Sequence, residues 1–196
     1  MTGQRFLLPQ DLSVLSRRRA LAGSGLVLSA GAVALLGGRD ALAAGNKAST
    51  ADAEADVRIL NTALGAEYEA VAAYQVGAES GLLGKDVLGL AVAFQGHHKE
   101  HAAAIAATVR KLGGQPSSAK PKYSFPVDNL KTQADVLRFA AGLERGAISA
   151  YLGAVPLFGN RDLSRAAASI LGDEAMHWAI LGPAIGEVPV PTAFVA

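Results

Sequence analysis

Four stretches of this chain repeat apolar side chains at alternating spacings of three and four, the pattern of amphipathic helices that each bury one seam. The first is expected over about 52–80, with Leu60, Leu64, Glu67, Val71 and Tyr74 on the seam. The second, about 86–112, gives Ala91, Phe94, His98, His101 and Ile105. The third, about 132–158, gives Leu137, Ala140, Glu144, Ala147 and Tyr151, and the fourth, about 162–186, gives Ala167, Ile170, Glu174, His177 and Leu181. No segment sustains the period-two alternation of a strand.

The residues between these stretches set the topology. Gly81 to Lys85 and Gly159-Asn160-Arg161 are short turns, which force antiparallel neighbours. Gly113-Gly114 stops the second helix, and Thr132 with Asp135 reads as a capping box for the third. Between them lies a connection containing Pro116, Pro121 and Pro126. It can stretch to roughly 60 Å, longer than helices of about 40 Å, and so can cross the whole bundle. The expected fold is therefore all-α: an antiparallel four-helix bundle with a long crossover between helices 2 and 3.

Residues 1–43 differ in kind. Ser16-Arg17-Arg18-Arg19 precedes an uncharged Ala/Gly/Leu-rich run from Ala20 to Gly38, and Ala41-Leu42-Ala43 is a small-residue cleavage pattern. That order is expected of a twin-arginine export signal, and the run is short enough to favour cleavage over a retained anchor. A tether over 44–51, a helical domain over 52–187 and a tail over 188–196 would follow, in a periplasmic or extracellular protein. Setting aside the five Arg and two Asp of residues 1–43 turns the formal charge from +1 to −2, with 13 basic against 15 acidic groups. No basic patch remains to suggest a nucleic-acid partner. The longest later uncharged run, Gly146 to Asn160, contains Pro156, so no membrane span is expected after cleavage. With no cysteine in the chain, His and carboxylate are the expected metal ligands.

The polar groups fall in the middle of every seam, where antiparallel helices bring side chains to a common height. Glu67, His98, His101, Glu144, Glu174 and His177 would thus converge in an oily interior, and a bound cation is the simplest compensation for burying three carboxylates. Three Glu and three His without sulfur suit iron, manganese or zinc. The halves of the chain also match. Glu67-Tyr-Glu-Ala-Val-Ala-Ala-Tyr74 aligns with Glu144-Arg-Gly-Ala-Ile-Ser-Ala-Tyr151, and Gly96-His-His-Lys-Glu-His101 with Gly172-Asp-Glu-Ala-Met-His177. This internal duplication of a hairpin puts His98 in the slot that Glu174 fills in the second half. His97 lies off the seam, at the surface or just outside the ligand set. Glu69, Glu79, Glu100 and Asp173 are expected to be solvated, and Trp178 to sit at the core edge.

With these motifs, above all Ala147-Ile-Ser-Ala-Tyr-Leu-Gly-Ala and Ala168-Ser-Ile-Leu-Gly-Asp-Glu-Ala-Met-His177, the chain resembles the ferritin-like di-iron-carboxylate superfamily over about 55–187. Within it, the chain looks like exported ferritin-like domain proteins related to desiccation-induced proteins. The resemblance implies Glu67 and Glu144 as terminal carboxylate ligands, Glu174 as a bridging carboxylate, and His101 and His177 as imidazole ligands. Tyr74 and Tyr151, one heptad after each terminal Glu, would orient carboxylates by hydrogen bonding. His98 departs from the pattern, standing where the family has its second bridging carboxylate. One metal, two metals sharing a solvent-derived hydroxide, or a polar core without metal remain open.

The resemblance implies a bundle-held iron or manganese centre reacting with dioxygen or peroxide as a small oxidant substrate. The alternatives are a metal-free bundle serving stress tolerance or binding in the envelope, and metal storage without turnover. Twin-arginine signals are associated with folded, often cofactor-loaded cargo, which favours the metal-bearing readings. Nothing in the sequence points to a cage-forming surface or a particular homo-oligomer.

Overall fold

The computed structural model describes residues 50–194; the expected signal over 1–43 and most of the 44–51 tether lie outside them. Four helices follow in order: α1 (Thr50–Glu79), α2 (Lys85–Lys111), α3 (Gln133–Ala154) and α4 (Arg161–Ala184). The expected all-α bundle is the fold found, with α1 packed along α2 and α3 along α4. Thr132 and Asp135 form the reciprocal capping box of α3. Helices α2 and α4 end alike, in Gly113 (φ 81°) and Gly186 (φ 82°). Gly114 N–H bonds to Val109 O and Glu187 N–H to Gly182 O, both at 2.9 Å, so each left-handed glycine turns the chain back onto the last carbonyls.

One boundary differs from expectation. The α-helical part of α3 stops at Ala154, and Val155–Leu157 continues as a 3-10 turn rather than as helix to about Phe158. Pro156 has no N–H to bond four residues back, so the last turn tightens.

The crossover runs the length of the bundle, as its reach requires. Near its start, Asn61 of α1 donates from Nδ2 to Gln115 O (3.0 Å) and accepts from Ser117 N–H (2.7 Å). Midway, Phe125 stacks on Tyr123 and meets Phe139 of α3 edge-on at 5.7 Å. Its far end leads into α3 beside the α1–α2 turn, where Gly84 N–H donates to Gln133 Oε1 at 2.8 Å.

At the opposite end Asp56 is buried, and its two carboxylate oxygens accept from the backbone N–H groups of Gly159 (2.8 Å) and Asn160 (3.1 Å). Asp56 thereby closes the α3–α4 turn onto α1. Asp56→Ala would remove two hydrogen bonds to a charged acceptor and should lower the unfolding free energy by about 1–3 kcal/mol, read from urea unfolding.

Two apolar layers fill the interior. One holds Leu60, Leu64, Ile105, Val109, Tyr151, Leu163 and Ile170; the other holds Tyr74, Phe94, Leu137, Ala140 and Leu181, with Trp178 at its edge. Of the seam positions, Val71, Ala91 and Ala147 are half-buried rather than buried. On α3, Ile148 takes the place in the core expected of Ala147, because a helix of 3.6 residues per turn drifts away from a strict seven-residue repeat.

Candidate metal centre

Between the apolar layers lies a polar one. Glu67 of α1, His98 and His101 of α2, Glu144 of α3, and Glu174 and His177 of α4 are all buried, from 0% exposed at Glu174 to 8% at His101. They form two overlapping groups whose ligand atoms lie within 4.8 Å of one another. Glu67, His98, His101 and Glu174 make one, and His98, Glu144, Glu174 and His177 make the other. His98 and Glu174, the residues matched by the duplication, are common to both.

His98 is the hub. Its Nδ1 lies 2.9 Å from Glu67 Oε2 and 3.6 Å from Glu174 Oε1, while its Nε2 lies 3.4 Å from Glu144 Oε1. His101 turns Nδ1 inward, 3.3 Å from Glu174 Oε1 and 3.5 Å from Glu67 Oε2. His177 also turns Nδ1 inward, 3.3 Å from Glu174 Oε2 and 3.5 Å from Glu144 Oε1.

Both tyrosines reach into this layer from the apolar layers on either side, and they do so crosswise. Tyr74 of α1 donates its hydroxyl to Glu144 of α3, and Tyr151 of α3 donates to Glu67 of α1. Each thus serves the carboxylate of the other half, in keeping with the two-fold relation of the duplicated hairpins. Burial and the adjoining carboxylates push both phenols up, so they stay protonated donors.

The charges are interdependent. Burial by itself would raise Glu67, but the His101 and His98 imidazoles beside it bring it down to about 2. Glu144 is likewise lowered, its burial outweighed by His177 and His98. Glu174, the most deeply buried and flanked by Glu67, is raised instead. Burial alone would lower the imidazoles, yet carboxylate contacts push His98 up to about 10, His177 to about 9 and His101 to about 12.

Three atoms in this layer have no hydrogen-bond partner among the described residues: His101 Nδ1, Glu144 Oε2 and Glu174 Oε1. His101 Nδ1 and Glu174 Oε1 approach within 3.3 Å yet are misaligned for a hydrogen bond. Buried polar atoms left without partners, on a set of three carboxylates and three imidazoles, are what a transition-metal cation would satisfy, displacing the imidazole protons.

Asp173 corrects the sequence reading. Rather than being solvated, its side chain is only 17% exposed, and Oδ2 lies 3.3 Å from His97 Nδ1, 3.4 Å from His101 Nε2 and 3.3 Å from His177 Nε2. His97 Nδ1 approaches His177 Nε2 at 2.8 Å, and its ring stacks on that of His177. The signal was in the alignment of the halves: residues 97 and 173 are equivalent, so the duplication sets them side by side across the two-fold. Glu79 and Glu100 are exposed as expected, while Glu69 is half-buried.

Phe94 stacks on the other neighbour of this arrangement, its ring centroid 4.0 Å from that of His177. Tyr74 and Phe94 also line an apolar cleft with Leu83, Val87, Leu137 and Leu181. No described helix is long and apolar enough to cross a membrane.

The comparisons with known proteins agree with this architecture. The ferritin-like domain family matches residues 55–187. Among solved structures, the chain is similar to a conserved hypothetical protein, rv2844, from Mycobacterium tuberculosis, at 22% identity over 73% of this chain and 99% of that one, with a TM-score of 0.63. It is also similar to ferritin-like, diiron-carboxylate proteins from Bacillus anthracis str. Ames, at 19% identity over 69% of this chain and 98% of that one, with a TM-score of 0.59. At such identities the likeness is one of fold. No curated protein matches the chain.

Proposed function

The chain belongs to the ferritin-like domain family, and from that premise we propose that it is an exported metalloprotein holding one or two iron or manganese ions in the bundle core. The observation that carries this reading is the pair of overlapping four-ligand groups in an otherwise apolar interior. Glu67 and Glu144 would be terminal ligands, Glu174 a bridging carboxylate, and His101 and His177 imidazole ligands, with His98 in the second bridging slot. The diiron-carboxylate description of the Bacillus anthracis neighbour supports the same kind of centre. A bound iron or manganese ion would supply redox chemistry toward dioxygen or peroxide at an open coordination position.

The chain's own part is to fix and to exclude. Tyr74 and Tyr151 hold the two terminal carboxylates in place. The apolar layers keep water from the ligands, and the cleft lined by Tyr74 and Phe94 gives a small apolar oxidant such as dioxygen an approach. The Arg-rich start and cleavage pattern of residues 1–43 support export of the folded, loaded protein.

The test is metal analysis of mature protein recovered from an export-competent host. Wild type should carry stoichiometric metal, and Glu174→Ala and His177→Ala should lose it. Oxygen or peroxide consumption by the loaded form then separates turnover from storage. Tyr151→Phe should retain metal but bind it about 10- to 100-fold more weakly, measured by chelator competition, because Glu67 loses the donor that orients it.

One observation favours a second reading, a metal-free bundle with a structural or stress-tolerance role in the envelope. His98 faces Glu67 with one ring nitrogen and Glu144 with the other, so a protonated His98 could bridge the two carboxylates in a cation's place. Wild type that is recovered without metal and takes up neither Fe(II) nor Mn(II) would decide for it.

A further inference from the structure

We propose that His97 Nδ1, Asp173 Oδ2 and His177 Nε2 form a second, outer cation site that captures a divalent transition metal from solvent and delivers it to the buried cluster, with which it shares His177. The hand-over step rests on the buried cluster being a metal centre; the outer site itself does not.

The geometry of the three atoms is that of one face of a coordination polyhedron. Asp173 Oδ2 stands 3.3 Å from each nitrogen, and the two nitrogens, 2.8 Å apart and hydrogen-bonded in the absence of a cation, would open by a few tenths of an ångström to receive one. A cation about 2.1 Å from each of three nitrogen or oxygen ligands would hold them roughly 3.0–3.4 Å apart. A purely hydrogen-bonded explanation fits Asp173 poorly. Charge-assisted N–H···O contacts fall near about 2.7–2.9 Å, whereas Oδ2 keeps 3.3–3.4 Å from three imidazole nitrogens at once. Two imidazoles and one carboxylate on a single, partly exposed face also suit a first-row divalent metal.

Placement fits the role. His97 is 29% exposed and Asp173 17%, against at most 9% for the side chains of the buried cluster, so an incoming hydrated ion meets the outer face first. The duplication creates the site by placing residues 97 and 173 together, and their divergence into His and Asp supplies two ligand types where identical residues would give one.

His177 links the two sites because its Nε2 faces outward and its Nδ1 faces Glu144 and Glu174. A neutral imidazole binds one cation at a time, so the two sites compete for His177, and filling of the buried site weakens the outer one.

The probe is Co²⁺ added to chelator-stripped mature protein, with stoichiometry followed by calorimetry and uptake by visible absorption. His98→Gln/Glu174→Gln, which removes the two ligands common to both buried groups, should still bind one Co²⁺, and adding His97→Ala should abolish it. In the wild-type background, His97→Ala should slow uptake by about tenfold or more without changing the final stoichiometry. Equal Co²⁺ binding by the double variant with and without His97, or an unchanged uptake rate, would overturn the outer site and leave the buried centre standing. Conversely, a single Co²⁺ bound equally by wild type and the double variant, and lost with His97, would retain the outer site and remove the buried one. Should the double variant fail to fold by circular dichroism, the uptake rate of His97→Ala decides alone.

Discussion

Glu67→Ala is expected to cost the metal-free protein about 3–5 kcal/mol of folding stability, measured by urea unfolding in the presence of a chelator. Glu67 is buried and faces His98 Nδ1 at 2.9 Å and His101 Nδ1 at 3.5 Å, with the Tyr151 hydroxyl on its other oxygen. Truncation leaves two imidazoles, both held protonated by their carboxylate neighbours, with one anion fewer in a region water does not reach. It also leaves the Tyr151 hydroxyl without its acceptor. Glu67→Gln keeps the volume and a carbonyl acceptor for Tyr151, and should lose less. If both variants unfold at the wild-type urea concentration, the polar layer is not the ion network described here.

The same arrangement explains how much of the protein is legible in its sequence. Helix positions and the convergence of the polar layer came from two repeating signals, the three-four spacing of apolar residues and the match between hairpins. The first is local in sequence, the second is a match of short motifs, and short turns fix which helices adjoin. The crosswise tyrosines were not legible, because the spacing from Glu67 to Tyr74 says that they share a face but not that the hydroxyl reaches a different helix. Asp56 escaped for a stronger reason: it holds Gly159 and Asn160, more than a hundred residues away, and no local pattern marks an acid as a cap for a distant turn. Asp173 escaped because it lies one residue, about 100° of helix, off the buried seam. Only the two-fold packing of the hairpins brings it against His97.

His98 shows why the departure from the family pattern does not by itself decide whether metal binds. A carboxylate in its slot would add a fourth anion to a buried layer, and that layer would demand cations strongly. A histidine can serve either as a neutral ligand or, protonated, as a cation that pairs with Glu67 and Glu144. The protein with three Glu and three His can therefore remain folded without metal, with protons standing where ions would otherwise be. Metal and protons become competitors for the same atoms, and the competition can be measured.

Metal uptake is accordingly expected to release protons and to strengthen steeply with pH. In the metal-free protein His177, His98 and His101 are held up to about 9, 10 and 12, against an ordinary value of 6.5, so all three carry a proton at pH 7 that a metal must displace. Glu67, down at about 2, is already ionised and adds no such cost. If all three imidazoles become ligands, each contributes one power of ten per pH unit, and affinity should rise by up to about 1,000-fold per unit between pH 7 and 8. The stability of the metal-free form has the opposite slope there. Raised imidazoles stabilise fully below 6.5 and lose that contribution as pH climbs through 9 to 12, whereas Glu67 stabilises fully above 4.5 and loses its contribution as pH falls toward 2. Thermal unfolding with chelator should therefore give the highest Tm between pH 4.5 and 6.5, with declines on both sides. Calorimetric titration of Mn(II) or Co(II) in buffers of different ionisation enthalpy counts the protons released. A Tm that rises steadily from pH 5 to 9, together with binding that releases no protons, would mean that the histidines are neutral in the folded protein and that no cation, proton or metal, is needed to hold the layer together.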